Sequence, residues 1–590
     1  MFHKNNGVPG RERHFFVPTP EHPMSTTPLI RQRYLTIDGR RVRYLRAGSG
    51  SPVVLIYANS ATLTAHIKRL STKHTVFAFD NPGYCGSDPL DLAEITVADL
   101  ADALAAAMHF MGFTKVPVFG THTGAAIAIE LAMRHPNLVS GLMLDGIPLF
   151  TREEFEAHER DGYFFRLEPQ LLGGHFTNSW TRARDWLAFD PWCSRTPEHA
   201  RLSGPEASAE SLHFGMLMYF RYARHYEKPY KAAFKFGEIG ASRIASIECP
   251  CVFAASVTDG LSAHFPRFPP LKANQRIVLL GADPDDMFAL IERTLEDYDA
   301  QATPPSDPAP SGGGRGIEKQ FVDLEDGQIF VRSRGNADRP AVLLLHDAPG
   351  SALVLEPLIA ALGKDHRVYA PDLPGCAESD PLPVPQPTIT DYVEAMRRVC
   401  AALQIDRVTV YGIGFGSSIA IELARAAPEL VASLVLRGVL LPDSEERRDM
   451  EAYYAPHIAV DAYGGHWYRT WLMLRDSLIY WPWYKRGPQA MRAIRADFSA
   501  DRLHDWTVQV MLRHRSYHHV IDAALLHDAG AALKRVAAPI LVCDDAEQPF
   551  SAYKHALAAC APHAEIFPSS DPVWEAERIG GFIAGQCRES

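Results

Sequence analysis

A chain of 590 residues is too long for one core and comfortable for two large domains. Its 47% apolar and 22% charged residues are the proportions of a water-soluble globular protein. The 59 basic and 70 acidic residues leave a net charge of −11 without long blocks of one sign, which argues against nucleic acid or an anionic membrane as partner.

Residues 1–27 form a polar, proline-containing extension with no apolar core for a signal peptide. No apolar run approaches membrane-spanning length. The nine cysteines are odd in number and scattered, which suits a reducing cytoplasm better than a disulfide framework. Cys249-Pro250-Cys251 is the one close pair and has no second pair beside it, so no metal site is expected there, and the chain is read as cofactor-free.

From Ile30 the pattern predicts a hairpin, residues 34–37 and 42–45 around the turn Asp38-Gly39. Buried strands follow at 53–56 and 76–79, the first running into Tyr57-Ala58-Asn59-Ser60. A helical pattern over 97–111 leads to Val116-Pro117-Val118-Phe119 and then Gly120-Thr121-His122-Thr123-Gly124, with an Ala/Ile/Leu helix beyond. Residues 142–145 read as another buried strand. Residues 151–238 are rich in Trp, Tyr, Phe, Arg and His at helical spacing and read as an inserted cap. Strands return at 252–254 and 277–280, ending at Gly281-Ala282-Asp283-Pro284-Asp285. Short apolar strands alternating with helices predict a mostly parallel sheet covered on both faces.

Residues 303–315 have the Pro/Gly/Ser composition of a flexible linker. After it the order repeats: hairpin at 321–331, strand at 342–345, His346-Asp347-Ala348-Pro349-Gly350, strand at 368–370, and strand 408–411 opening Gly412-Ile413-Gly414-Phe415-Gly416. The inserted segments repeat too. Gly173-Gly174-His175, Trp180 and Pro191-Trp192 match Gly464-Gly465-His466, Trp471 and Pro482-Trp483 at one constant offset, as His213 matches His504. The sequence therefore reads as a tandem duplication: a first domain at 28–302 and a second at 316–590 with its cap at 443–530. Fused copies of this kind are expected to pack as an internal pseudo-dimer.

Each half resembles the capped branch of the α/β-hydrolase superfamily, the fold class expected for both domains. His346–Gly350 looks like the oxyanion-loop motif, residues 372–379 like the loop after the fourth strand, and Gly120–Gly124 and Gly412–Gly416 like the nucleophile elbow. That resemblance implies an elbow nucleophile, an acid after a later strand and a histidine base near the end of each domain. The first half has His122 at the elbow and Asp259 at the acid position, but Asp283-Pro284 where the base belongs. The second has Gly414 at the elbow, Glu547-Gln548 near the acid and Ser570-Asp571-Pro572 in place of the base. Neither half has a conventional triad.

His122 is the principal candidate. An imidazole raised on the elbow and oriented by Asp259, or by Asp145 as a second acid, is a competent general base near neutral pH. Tyr57, Asn59, Thr121, Thr123, His175, Trp180 and His213 are the candidate substrate-binding residues around it. His175 and His213 have counterparts, His466 and His504, above an elbow with no side chain, and cap packing explains them better. Two functions remain open. One is a cofactor-free hydrolase or lyase of a small apolar carbonyl or ester compound, with the second domain inactive. The other is a pseudoenzyme that binds a small hydrophobic ligand or a protein partner.

Overall fold

The computed structural model describes residues 28–201, 208–301, 303–308, 316–492, 497–545, 549–569 and 571–589. The extension at 1–27, most of the linker at 303–315, Glu547-Gln548 and Ser570 lie outside the described residues.

The first sheet is built from β1 (Arg31–Ile37), β2 (Arg40–Ala47), β3 (Pro52–Ile56), β4 (Thr75–Phe79), β5 (Val116–Thr121), β6 (Val139–Asp145), β7 (Cys251–Ser256) and β8 (Gln275–Leu280). The second has β9 (Glu318–Leu324), β10 (Gly327–Arg334), β11 (Ala341–Leu345), β12 (Arg367–Pro371), β13 (Val408–Gly414), β14 (Val431–Val439), β15 (Ile540–Asp544) and β16 (Glu565–Pro568). Both are eight-stranded, in the order β1-β2-β4-β3-β5-β6-β7-β8 and its counterpart β9-β10-β12-β11-β13-β14-β15-β16. The second strand of each pairs antiparallel with both neighbours, and the rest run parallel. Central strands such as β3 and β13 are buried along their whole length, so they read in sequence as largely apolar runs, Thr409 being the polar exception in β13.

The elbow glycines are required by close approach. A Cβ on Gly120 would lie 2.6 Å from the Gly124 carbonyl oxygen, and one on Gly124 would lie 2.0 Å from that of Ile56. Small residues along the helix Thr123–Arg134 then let it bury Ala125, Ala126 and Ala128 against the sheet. The Asp-Pro pairs near the domain ends are helix starts. Asp283 caps the helix Pro284–Glu296 through the Asp285 N–H, and Asp571 accepts from the N–H groups of Val573 and Trp574 at the start of Pro572–Glu589.

The linker is anchored at its start. Asp307 holds Arg33 at 2.9 Å and Arg46 at 3.0 Å and accepts from the Tyr44 hydroxyl. The halves meet first along β1 and β9, where Tyr34 stacks on its counterpart Phe321 with ring centroids 5.8 Å apart. They meet again through their caps, which share one buried aromatic cluster containing Phe176, Trp180, Phe220, Trp467 and Trp471. The cap contacts are reciprocal. Gly173 lies against the Trp471 ring and Gly464 against the Trp180 ring, each so close that a Cβ would fall within 3 Å of the indole.

Four buried histidines complete this seam as two relays. The Gln170 N–H donates to His175 Nδ1, His175 Nε2 lies 3.1 Å from His504 Nδ1, and His504 Nε2 faces the Phe220 carbonyl. In the other relay the Asp461 N–H donates to His466 Nδ1, and His466 Nε2 lies 3.1 Å from His213 Nδ1. Burial pushes all four imidazoles down, His175 and His466 to about 4 and His213 and His504 to about 3. At neutral pH they are uncharged and joined by N–H···N bonds.

Candidate functional site

The turn after β5 holds His122 at φ 50° and ψ −114°, a conformation L-residues rarely adopt, and Gly414 after β13 adopts nearly the same one at 57° and −123°. A non-glycine residue at positive φ at the tip of a strand–helix turn is stored strain that presents one side chain. The His122 backbone N–H is tied to the Asp145 carbonyl at 2.9 Å, which fixes the turn to β6.

His122 Nε2 lies 2.9 Å from Asp259 Oδ2. Asp259 follows β7, and its other oxygen accepts from the Leu261 N–H at 2.9 Å, so the carboxylate is fixed in orientation. Space for the pair comes from Gly146, at φ +61°, whose hypothetical Cβ would lie 2.4 Å from His122 Cδ2 and 2.6 Å from Asp259 Oδ2. Burial pushes the imidazolium down, but the Asp259 hydrogen bond and the charges of Asp259 and Asp145 outweigh it, so the His122 pKa stands above its ordinary value. Asp259 shifts the opposite way: desolvation raises it, and its bonds to His122 and the Leu261 N–H bring it below the usual range. Asp145 is pushed up to about 6, chiefly by burial, with His122 and a 3.1 Å bond from the Thr121 hydroxyl acting against that. The Tyr57 ring meets the imidazole edge-on at 6.0 Å, and burial followed by the two carboxylates raises its phenol to about 12.

The second half fills the same space differently. A Cβ on Gly414 would lie 2.1 Å from Asp347 Oδ1. That oxygen accepts from the Phe415 N–H at 2.9 Å, the first N–H after the elbow, and from the Ala348 N–H at 2.8 Å. Desolvation raises the carboxyl to about 6 against those bonds. The position that carries Asp145 opposite Thr121 carries Arg437 opposite Ile413, and Arg437 is held by Asp545 at 2.5 Å and Glu575 at 3.0 Å.

A protein-family description of the α/β hydrolase fold matches residues 51–178 and 340–455, one stretch in each half, each running from the third strand through the elbow. Each half has the α/β-hydrolase fold. Its relatives include an uncharacterized protein of Mycobacterium bovis, 34% identical over 97 residues, 16% of this chain and 28% of that one. A haloalkane dehalogenase of Psychrobacter cryohalolentis is 31% identical over 129 residues, 21% of this chain and 42% of the other. The chain thus spans less than half the length of either relative. Among solved structures, epoxide hydrolase A of Mycobacterium thermoresistibile aligns at 19% identity and TM-score 0.37, over 46% of this chain and all of that one.

Within this α/β-hydrolase framework the expected site residues fall into two groups. His122, Asp259, Asp145, Tyr57, Thr121 and Thr123 gather at the first elbow. Asn59 is spent on structure, its Oδ1 accepting from the Thr62 N–H and hydroxyl. His175, His213 and Trp180 belong to the seam between the caps. Both ring nitrogens of His175 are engaged by protein groups, His213 pairs with His466, and Trp180 Nε1 donates to the Ala462 carbonyl. Two residues that shape the elbows escaped the sequence: Gly146, whose missing side chain makes room for the His122–Asp259 pair, and Asp347, which the loop pattern absorbs. One signal for Asp347 was available, since the half with a bulky elbow has Ala58 at that register and the half with a glycine elbow has the aspartate.

Proposed function

We propose that the first half is a cofactor-free hydrolase or lyase for a small apolar carbonyl or ester compound, with His122 as general base and Asp259 orienting it. The observation that carries this reading is the 2.9 Å His122–Asp259 bond at a strained elbow. In ester hydrolysis, His122 Nδ1, the ring nitrogen not bound to Asp259, takes the proton of an attacking water as oxygen adds to the carbonyl carbon. The resulting imidazolium is held by Asp259 and returns the proton to the departing alkoxide. Negative charge on the carbonyl oxygen is met by the start of the helix Thr123–Arg134, which no side chain caps. The second half supports that assignment, because there a carboxylate oxygen of Asp347 rests on the corresponding N–H. The apolar substrate class is suggested by two rings near Tyr57, those of Tyr84 and Tyr222, whose centroids lie 4.7 Å from each other.

The second half, with its elbow occupied by its own carboxylate, is read as non-catalytic, and the two halves as duplicated copies packed in a pseudo-dimer. Screening short-chain aryl and alkyl esters tests the catalytic reading. His122→Ala is expected to lower kcat/KM about a hundredfold or more on whichever ester is turned over. An unchanged rate would remove His122 from the chemistry and leave the first half as a ligand-binding pseudoenzyme.

A further inference from the structure

A cavity of about 470 Å³ lies between the halves, within the size range of small-molecule sites. None of the residues around His122 lines it. Its walls come from both halves: Tyr34, Arg41 and Phe220 from the first, Lys319, Phe330 and Leu353 from the second.

The charged groups in its lining sort into pairs. Arg41 holds Asp88 at 2.6 Å and Arg332 holds Asp372 at 2.7 Å. Arg221 reaches across the halves to Glu378 at 2.5 Å, and Arg224 to Asp505 at 3.1 Å. Every carboxylate on the wall therefore has its own guanidinium. Lys319 is the remaining cation, and among the described residues its ammonium has neither a hydrogen-bond nor an ion-pair partner. Glu356, which is near enough to act on it, is bound to Arg332. A half-buried ammonium without a counter-ion is costly, and this one is pushed down to about 8 by burial and by the charges of Arg41 and Arg332. Lys319 thus has no direct partner, and the two carboxylates that act on it from a distance, Glu356 and Asp88, are each bound to an arginine. Gln32, at the corresponding place in β1, carries no charge and accepts from Arg43 instead, so the first half offers no such ammonium there.

We propose that this cavity binds a small apolar monocarboxylate, its carboxylate paired with the Lys319 ammonium and its organic body against Tyr34, Phe220 and Phe330. One ammonium without a direct partner, among carboxylates already bound to arginines, suits a monoanion better than a phosphate dianion, and aromatic walls suit an aryl or alkyl group rather than a bare ion. The site is independent of the chemistry assigned to His122.

The test uses the full chain at pH 7, titrated by calorimetry with benzoate, hexanoate or inorganic phosphate. In parallel, acetylation of Lys319 by acetic anhydride is read by peptide mass spectrometry with and without each anion. At least one carboxylate is expected to bind with a Kd of about 1 mM or tighter and to slow Lys319 acetylation several-fold, with phosphate doing neither. Lys319→Met should weaken that binding about tenfold and Lys319→Arg should keep most of it, as a charge-assisted pair requires. Binding should also weaken from pH 7 to pH 9 as the ammonium deprotonates. The proposal is overturned if neither carboxylate protects Lys319 at about 10 mM, if Lys319→Met binds as the parent does, or if phosphate binds better than both.

Discussion

The two elbows share a backbone and differ in what fills the space above it. In the first half the turn supplies an imidazole, the neighbouring loop supplies Ala58, and Gly146 leaves room for Asp259 to reach the ring. In the second the turn supplies nothing, and Asp347 crosses over to occupy the helix N–H. Arg437, clamped between Asp545 and Glu575, stands where Asp145 stands in the first. The same fold thus holds a histidine–aspartate pair at the elbow of one half and, in the other, a carboxylate seated on the helix N–H beside the Arg437 ion cluster. Backbone geometry sets where a reacting group would sit, and two or three side chains decide whether the place is available.

The comparison can be broken most severely by moving the imidazole. Gly414→His alone forces a Cβ to within 2.1 Å of Asp347 Oδ1, and we expect it to cost about 3 kcal/mol or more in denaturant unfolding. Combined with Asp347→Ala, which recreates the pairing of bulky elbow and small loop residue, most of that loss should return. Additive losses in the two variants would show that the exchange between elbow and loop is not what separates the halves.

The relays between the caps give the next effect. Their four histidines are held below the unfolded value of 6.5, so between that value and about 4 the unfolded chain binds more protons than the folded one. The stability they permit is fully present above pH 6.5 and is lost as pH falls toward 4, on the order of 3 kcal/mol per histidine before coupling. Asp461 beside His466 opposes the loss, whereas Arg224 beside His504 and His514 and Arg515 beside His213 add to it. Unfolding measured from pH 7.5 to 4.5 should show this fall, and His175→Gln with His213→Gln should flatten it. An unflattened fall would assign the acid sensitivity to other groups.

Asp259→Asn sharpens the first elbow with a smaller change, about ten- to a hundredfold in kcat/KM once an ester substrate is found. Because Asp259 holds the His122 pKa above its ordinary value, the acid limb of the rate profile should move to lower pH in the variant. A limb that stays in place would show that another group titrates.

Much of the fold was legible because it is local: buried parallel strands read as apolar runs, and glycines mark each elbow through the close contacts of Gly120 and Gly124. The repeat needed no structure, since both copies stand in one chain. The approach of His122 to Asp259 was expected from order along the chain, but its distance and the space at Gly146 come from packing of β6 against β7. The histidine relays were beyond reach for a related reason. Comparing the copies aligned His175 with His466, whereas the molecule pairs His175 with His504, exchanging the aligned partners across the seam. Register within a sequence reveals which residues are equivalent, not which ones touch. Asp307 shows the converse limit of composition, because a segment that reads as free linker is tied down by one carboxylate among Arg33, Arg46 and Tyr44.

The covalent joining of the two halves has a consequence for specialisation. In an assembly of identical chains, any substitution at an elbow is made in every copy, and a change that closes one site closes them all. Here the caps meet in a one-to-one ratio at any dilution, and each elbow can be altered alone. One half can therefore fill its elbow with an internal carboxylate and still serve as the wall against which the other half's cap is held.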